Sequence, residues 1–138
     1  MRAALLLLAE MLDETKRETQ DRFLAPVLQR LAPYLAQVFP DARLVVDEQL
    51  VPTRLWRGST EEQLDRLSGG TQEQIAVLVR LAFGRLLAES GAAAPVILDD
   101  ALVYSDDTRI ERLFQVLEDA GRHHQVIVLT CRSRTFDR

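Results

Sequence analysis

The stretch PVILDDALVYSDDTRIERLFQVLEDAGRHHQVIVLT, residues 95–130, decides the fold class. PVILDD is a short apolar run that ends in two acids, which is typical of a strand buried in a parallel sheet. Asp107–Ala120 follows with apolar residues at helical spacing, and Gly121 is its predicted stop. QVIVLT is a second apolar strand. A strand, a helix and a strand without a hairpin turn predict a βαβ unit, so we expect an α/β fold.

Upstream of this unit, the periodicity predicts one more helix and two strands. Residues 71–89 repeat apolar side chains at helical spacing and end before Gly91 and Pro95. ARLVVDEQL and VPTRLWR resemble two strands that a short turn joins, because both are rich in valine and leucine. GSTEEQLDRLSGG, which follows them, is predicted to be a polar connection.

The first forty residues are helix formers without glycine. Pro26 and Pro33 are expected to kink this segment or divide it into two or three helices. An apolar start followed by the charged run DETKRETQDR suits the root of a coiled coil that enters a globular head. An amphipathic helix packed on its own domain remains the alternative. We therefore expect a helical segment at 1–40 and a globular lobe at 41–138.

The amino-acid composition argues against several classes of protein and of binding site. The 138 residues carry 17 basic and 21 acidic side chains, a formal charge of −4, which argues against a strong DNA binder acting alone. Cys131 is the only cysteine, so the sequence predicts no internal disulfide and no cysteine-based zinc site. LLLLAE is too short to span a membrane, and we expect a cytoplasmic protein without a membrane partner.

Two short stretches carry candidate chemistry. Ser68, Gly69 and Gly70 stand where a helix begins, so bare backbone N–H groups and the positive helix end can meet a phosphate. A glycine-rich helix cap without a ligand is the alternative. Asp99 and Asp100 end a strand, where Asp99 is a candidate Mg²⁺ ligand and Asp100 a candidate for positioning or deprotonating a water. The alternative for this pair is a helix cap or a loop contact.

Together, these stretches resemble the ABC-type ATPases, and among them the SMC-like and double-strand-break-repair branch, with the bacterial YhaN kind most similar. Leu67–Gly70, LSGG, matches the signature motif; VILDD matches Walker B; Asp106 falls at the D-loop aspartate. The resemblance implies the C-terminal half of an ABC-type P-loop NTPase head that uses ATP and Mg²⁺. It also implies that the signature residues clamp the γ-phosphate of ATP held on the opposite head, and that Asp106 communicates across the dimer.

The sequence departs from that pattern in three places. It contains no G-x-x-x-x-G-K-[ST] motif, so the resemblance implies that an N-terminal P-loop lobe comes from elsewhere. Arg132 lies where the family has a switch histidine, and we assign it to the catalytic residues. His123 and His124 precede the strand and are expected to be exposed turn residues. Asp100 takes the position at which ABC proteins generally have glutamate.

Three functions compete. The first is an ATPase-head lobe for DNA maintenance or repair, inactive alone, with a P-loop lobe and a second head as partners and DNA contacted through the assembly. The second is a non-catalytic module that binds and regulates a complete head. The third is a two-metal phosphotransfer enzyme that uses Asp99, Asp100, Asp106 and Asp107. The third leaves LSGG unexplained and ranks last, and DNA involvement rests on the resemblance alone.

Overall fold

The computed structural model describes residues 1–47, 51–101 and 107–130, apart from the side chains of Gln20 and Asp107. Its helices are α1 (Arg2–Val38), α2 (Gly69–Glu89) and α3 (Asp107–Gly121). Its strands are β1 (Ala42–Val46), β2 (Pro52–Arg57), β3 (Thr60–Gln63), β4 (Val96–Asp99) and β5 (Val126–Leu129). A short 3-10 turn, Leu64–Arg66, joins β3 to the loop before α2.

The predicted α/β fold is confirmed. Strands β4 and β5 pair in parallel, from Val96 opposite Val126 to Asp99 opposite Leu129, and α3 connects them. A separate antiparallel sheet has the order β1-β2-β3. The polar connection predicted after β2 was wrong in part, since Thr60–Gln63 forms β3 against β2. Its polar residues can form a strand because they lie at the sheet edge and face solvent.

Helix α1 is one continuous helix of 37 residues, about 55 Å long, so the predicted division at Pro26 and Pro33 was wrong. Each proline removes one N–H and frees the carbonyl four residues earlier, on Arg22 and Gln29. Both of those residues are exposed, so water can hydrate the freed carbonyls. Packing of the final third of the helix against the core offsets the remaining cost.

The core lies between the last third of α1, helices α2 and α3, and one face of each sheet. Its largest fully buried side chains are apolar, with one tyrosine and one glutamine among them. They are Leu31, Tyr34, Val38, Leu55, Gln74, Ile75, Val77, Leu78, Leu81, Leu98, Leu113 and Val116. The first two thirds of α1 stay outside this core, with Leu5, Leu6, Leu7, Leu8, Met11 and Leu12 exposed.

Strands β4 and β5 are covered on one face only within the part of the chain that the structure describes. Val96, Leu98, Val126 and Val128 pack on the core. On the opposite face, Ile97 is 55% exposed and Leu129 49% exposed. The sequence predicted strands of the kind that is buried in a parallel sheet. Among the described residues, α2 and α3 cover one side of the two strands, and the other side is exposed.

His124 is buried rather than exposed, which corrects the prediction for this residue, whereas His123 is exposed as expected. The His124 ring lies against α2, where Gly84 has no side chain and leaves room for it. Neither ring nitrogen has a hydrogen-bond partner among the described residues. Burial first, and the charge of His123 second, hold the pKa of His124 below its usual value.

Across the described segments, we find no helix with the length and apolar character needed to cross a membrane.

Candidate nucleotide-contacting edge

The topology brings the candidate site residues to one edge of the molecule. Helix α2 starts at Gly69 and runs away from this edge, and β4 returns to it, ending at Asp99. Helix α3 then leaves from the same edge. A hydrogen bond from Arg109 Nη1 to Thr71 Oγ1, at 3.3 Å, joins the first turns of α3 and α2. We call this side of the molecule the carboxyl edge, after the carboxyl end of β4.

Ser68 caps helix α2 at the carboxyl edge. Its Oγ accepts a hydrogen bond from the Thr71 N–H at 3.3 Å and lies 2.9 Å from Thr71 Oγ1. The helix begins at Gly69, two residues before the start that the periodicity predicts, so both glycines lie in its first turn. The N–H groups of Gly69 and Gly70 have no hydrogen-bond partner among the described residues. Gly69 is exposed, so its N–H remains available to an acceptor from outside, whereas Gly70 is buried.

Gly69 faces open space. A Cβ placed on it would meet no heavy atom of the described residues within 4 Å, so their packing does not require a glycine there. Gly69 also lies in the helical region rather than at positive φ, so its backbone does not require glycine either. A requirement for glycine at this position must come from something that approaches from outside.

Leu67 fixes the loop that leads into α2. Its side chain is half-buried against the core, and its N–H donates to the carbonyl of Leu64 at 3.2 Å. Its own carbonyl accepts from Gln72 Nε2 at 2.9 Å. Within the motif, Leu67 thus holds the backbone in place, and the exposed positions are Ser68 and Gly69.

Asp99 and Asp100 are both exposed at the carboxyl end of β4. The N–H of Asp100 donates to the carbonyl of Leu129 at 2.8 Å, which ties this residue to the end of β5. Asp100 has a φ of 46°, in the left-handed region that few residues except glycine, asparagine and aspartate adopt. The chain therefore turns sharply directly after β4. Backbone conformations of this kind concentrate at functional sites.

A magnesium ion fits this edge only with ligands from outside the described residues, among which no cluster of three or more histidine, cysteine or acidic side chains occurs. Mg²⁺ in nucleotide sites is usually held by one or two carboxylates together with phosphate oxygens and water. The exposed Asp99 carboxylate at a strand end matches that donor set. Asp106 and Arg132 lie outside the described residues, as does the side chain of Asp107.

Sequence reasoning missed Arg109. Its guanidinium lies 5.5 Å from the centroid of the buried Phe39 ring while it donates to Thr71. The residue thus joins the end of α1, the start of α2 and the start of α3. Thr71 is 38 residues away along the chain, and no local pattern indicates this contact.

Solved structures of SMC head domains match this architecture. The head domain of Pyrococcus yayanosii, solved with a coiled coil and joint, aligns with a TM-score of 0.64 at 20% identity, over 95% of this chain and 27% of that one. The head of Pyrococcus furiosus, bound to the C-terminal domain of ScpA, gives 0.64 at 18% identity, over 97% and 36%. The head from Thermotoga maritima gives 0.59 at 20% identity, over 88% and 41%. This chain has the fold of part of an SMC head domain.

The sequence comparisons cover a smaller part of the chain than the structural likeness to SMC heads does. No protein-family model matches the chain. Uncharacterised proteins of Mycobacterium bovis and Mycobacterium tuberculosis are 46% identical over 65 residues, or 47% of this chain. That region is 7% of the length of those relatives. The branch within the SMC-like proteins, and the site roles of individual residues, therefore stay predictions.

Proposed function

We propose that this chain is the C-terminal lobe of an SMC-like ATPase head that takes part in DNA maintenance or repair. In this proposal it contributes the signature residues Leu67–Gly70 to one ATP site, and Asp99 and Asp100 to another. A P-loop lobe supplies the phosphate cradle, and a second head faces the carboxyl edge. The SMC-head fold and the geometry of the α2 start support the proposal.

The open surroundings of Gly69 are the observation on which the proposal depends. No atom of the described residues lies within 4 Å of its Cβ position and its backbone is helical, so neither their packing nor the backbone conformation explains glycine there. An alanine would fit the chain itself but would occupy the space through which a phosphate oxygen reaches the first N–H groups of α2. The helix dipole adds to this attraction, because a helix of 21 residues directs its positive end at the same point.

The two carboxylates have different roles in this proposal. Asp99 would hold Mg²⁺, which supplies charge neutralisation on the phosphates when it is bound. Asp100 would orient the attacking water and accept its proton. The left-handed backbone at Asp100 turns the chain out of the strand, and its tie to Leu129 holds that turn. Asp106 and Arg132 are retained as predicted contributors at the head–head contact and the switch position.

The open face of β4 and β5 supports a second lobe. A parallel sheet is usually covered on both faces, and two strands alone make an unusually small sheet. Here the exposed Ile97 and Leu129 share one face, together with the half-buried Ile127. A P-loop lobe that extended this sheet would bury these side chains.

The test is ATP turnover and ATP-dependent association of this chain with its cognate P-loop lobe. Gly69→Ala is expected to abolish both while leaving the unfolding temperature unchanged or higher. Gly121→Ala is the matched control, since its Cβ also meets no described atom within 4 Å, and it should leave both readouts unchanged. Asp100→Asn should remove turnover but keep association.

One result would count against the enzymatic function and another against the signature assignment. ATP-dependent association without turnover above the Asp100→Asn background would identify a clamp or regulator of a complete head, the second of the competing functions. Full activity of Gly69→Ala would show that no phosphate approaches the start of α2, and the signature assignment would have to be abandoned.

A further inference from the structure

Three polar groups form a short hydrogen-bonded series at the start of α2. Arg109 Nη1 donates to Thr71 Oγ1 at 3.3 Å, and Thr71 Oγ1 lies 2.9 Å from Ser68 Oγ. Ser68 Oγ also accepts the Thr71 N–H at 3.3 Å. Thr71 is buried, Arg109 is half-buried and Ser68 is exposed.

The charge of Arg109 gives this series a direction. A guanidinium only donates, so the Thr71 oxygen presents a lone pair to it and its hydrogen points away from the positive charge. Ser68 Oγ, at 2.9 Å from Thr71 Oγ1, is an acceptor within reach of this hydrogen. Ser68 Oγ then accepts twice, from the hydroxyl and from the N–H of Thr71, which fills both of its lone pairs. The Ser68 hydrogen is left to point outward at the carboxyl edge.

We propose that Arg109 is a positioning residue that acts through Thr71 to turn the Ser68 hydroxyl outward as a donor to phosphate. The inference rests on the proposed function and adds a residue to it. Without Arg109, the Thr71 hydroxyl is free to reverse and accept from Ser68. The Ser68 oxygen would then present a lone pair to the incoming phosphate, and a donor would be exchanged for a repulsive contact.

Phe39 makes Arg109 suitable for this role. The guanidinium lies 5.5 Å from the centroid of the buried Phe39 ring, a contact that favours one orientation of the planar group. Lysine carries the same charge but lacks the planar fork, so Arg109→Lys should restore only part of the effect of arginine. Arg109→Met keeps the apolar stem over Phe39 and removes every donor.

The experiment is a double-mutant cycle on ATP-dependent association with the cognate P-loop lobe. Arg109→Met should weaken association roughly tenfold, the effect of losing one hydrogen bond to a charged group. In a Ser68→Ala background, Arg109→Met should have no further effect, because the hydroxyl that it orients is gone. Thr71→Val should reproduce the loss, and Thr71→Ser should retain most of the wild-type association.

The outcomes separate the inference from the proposed function. If Ser68→Ala weakens association and Arg109→Met does not, the positioning role is wrong and the ATPase-head function stands. An equal loss from Arg109→Met in both backgrounds would also overturn the positioning role, since it would indicate a purely structural contribution. If the wild-type chain itself shows no ATP-dependent association, the proposed function fails first.

Discussion

Gly84→Ala tests whether the packing between α2, β4 and the buried histidine is as tight as the structure shows. A Cβ on Gly84 would lie 2.5 Å from Val96 Cγ2, 2.6 Å from His124 Nε2 and 2.8 Å from His124 Cδ2. Ordinary contacts between such atoms are about 3.5–4.0 Å. The two neighbours must therefore move by about 1 Å, although Val96 is the first residue of β4 and His124 lies two residues before β5.

Two opposing terms set the size of the effect. Overpacking of a core typically costs about 1–3 kcal/mol. Replacing glycine by alanine in a helix interior returns about 1 kcal/mol through helix propensity. Because two separate neighbours are displaced, we expect the upper half of the resulting range, a net loss of about 1–2 kcal/mol. That corresponds to an unfolding temperature lower by roughly 4 °C or more.

Urea unfolding followed by circular dichroism measures this loss, with Gly121→Ala as the control that adds a Cβ in open space. Adding Val96→Ala to Gly84→Ala removes one of the clashing methyl groups, so the double variant should lose less than the sum of the single changes. A Gly84→Ala chain as stable as the wild type, or more so, would refute the reasoning, because it would show that His124 and Val96 yield without cost.

Three further changes test other parts of the structure. As pH falls below about 6.5, His124 becomes protonated in the unfolded chain at a higher pH than in the folded chain, so the folded state should lose stability between these two pKa values. The loss should persist in His123→Gln, and an equal loss in His124→Leu would contradict the assignment to His124. Asp100 has a left-handed backbone, so Asp100→Asn should unfold at the wild-type temperature, whereas Asp100→Ala should be less stable by about 1 kcal/mol. Calorimetry measures both, and equal stability of the two variants would contradict the backbone argument. Hydrogen bonds from Arg85 and then Arg30 lower the pKa of Glu89, so Glu89→Gln should reduce the loss of stability on acidification below about pH 4.5, and an unchanged acid titration would exclude this role.

The elements with strong periodicity were predictable from the sequence. Helix α3 was confirmed within one residue of its predicted end, and the parallel pairing of β4 with β5 followed from two apolar strands that flank a helix. Helix α2 was predicted two residues short at its start, because Gly69 and Gly70 have low helix propensity. The Ser68 side chain caps that start and offsets the cost.

Features that depend on distant contacts were not predictable. Pro26 and Pro33 disfavour a helix locally, yet the burial of one face of α1 holds it together. His124 follows Gly121 in a polar turn, and only the missing side chain at Gly84, 40 residues earlier, makes its burial possible. Local propensity carries no information on either arrangement, because the stabilising partner lies in another element.

Ser68 shows why the fold and the proposed function are hard to separate at the start of α2. Ser68 Oγ caps the start of the helix by accepting a hydrogen bond from the Thr71 N–H. In the proposed function, the hydrogen on that same oxygen atom donates to the phosphate. The two uses are compatible because a hydroxyl accepts twice and donates once. An Asp or Asn cap would hold the helix equally well, but neither presents a hydroxyl hydrogen there, and aspartate would repel the phosphate. Helix capping therefore explains a polar residue at position 68, whereas the proposed function gives a reason for serine there and for the glycine that follows, which the packing of the described residues does not require.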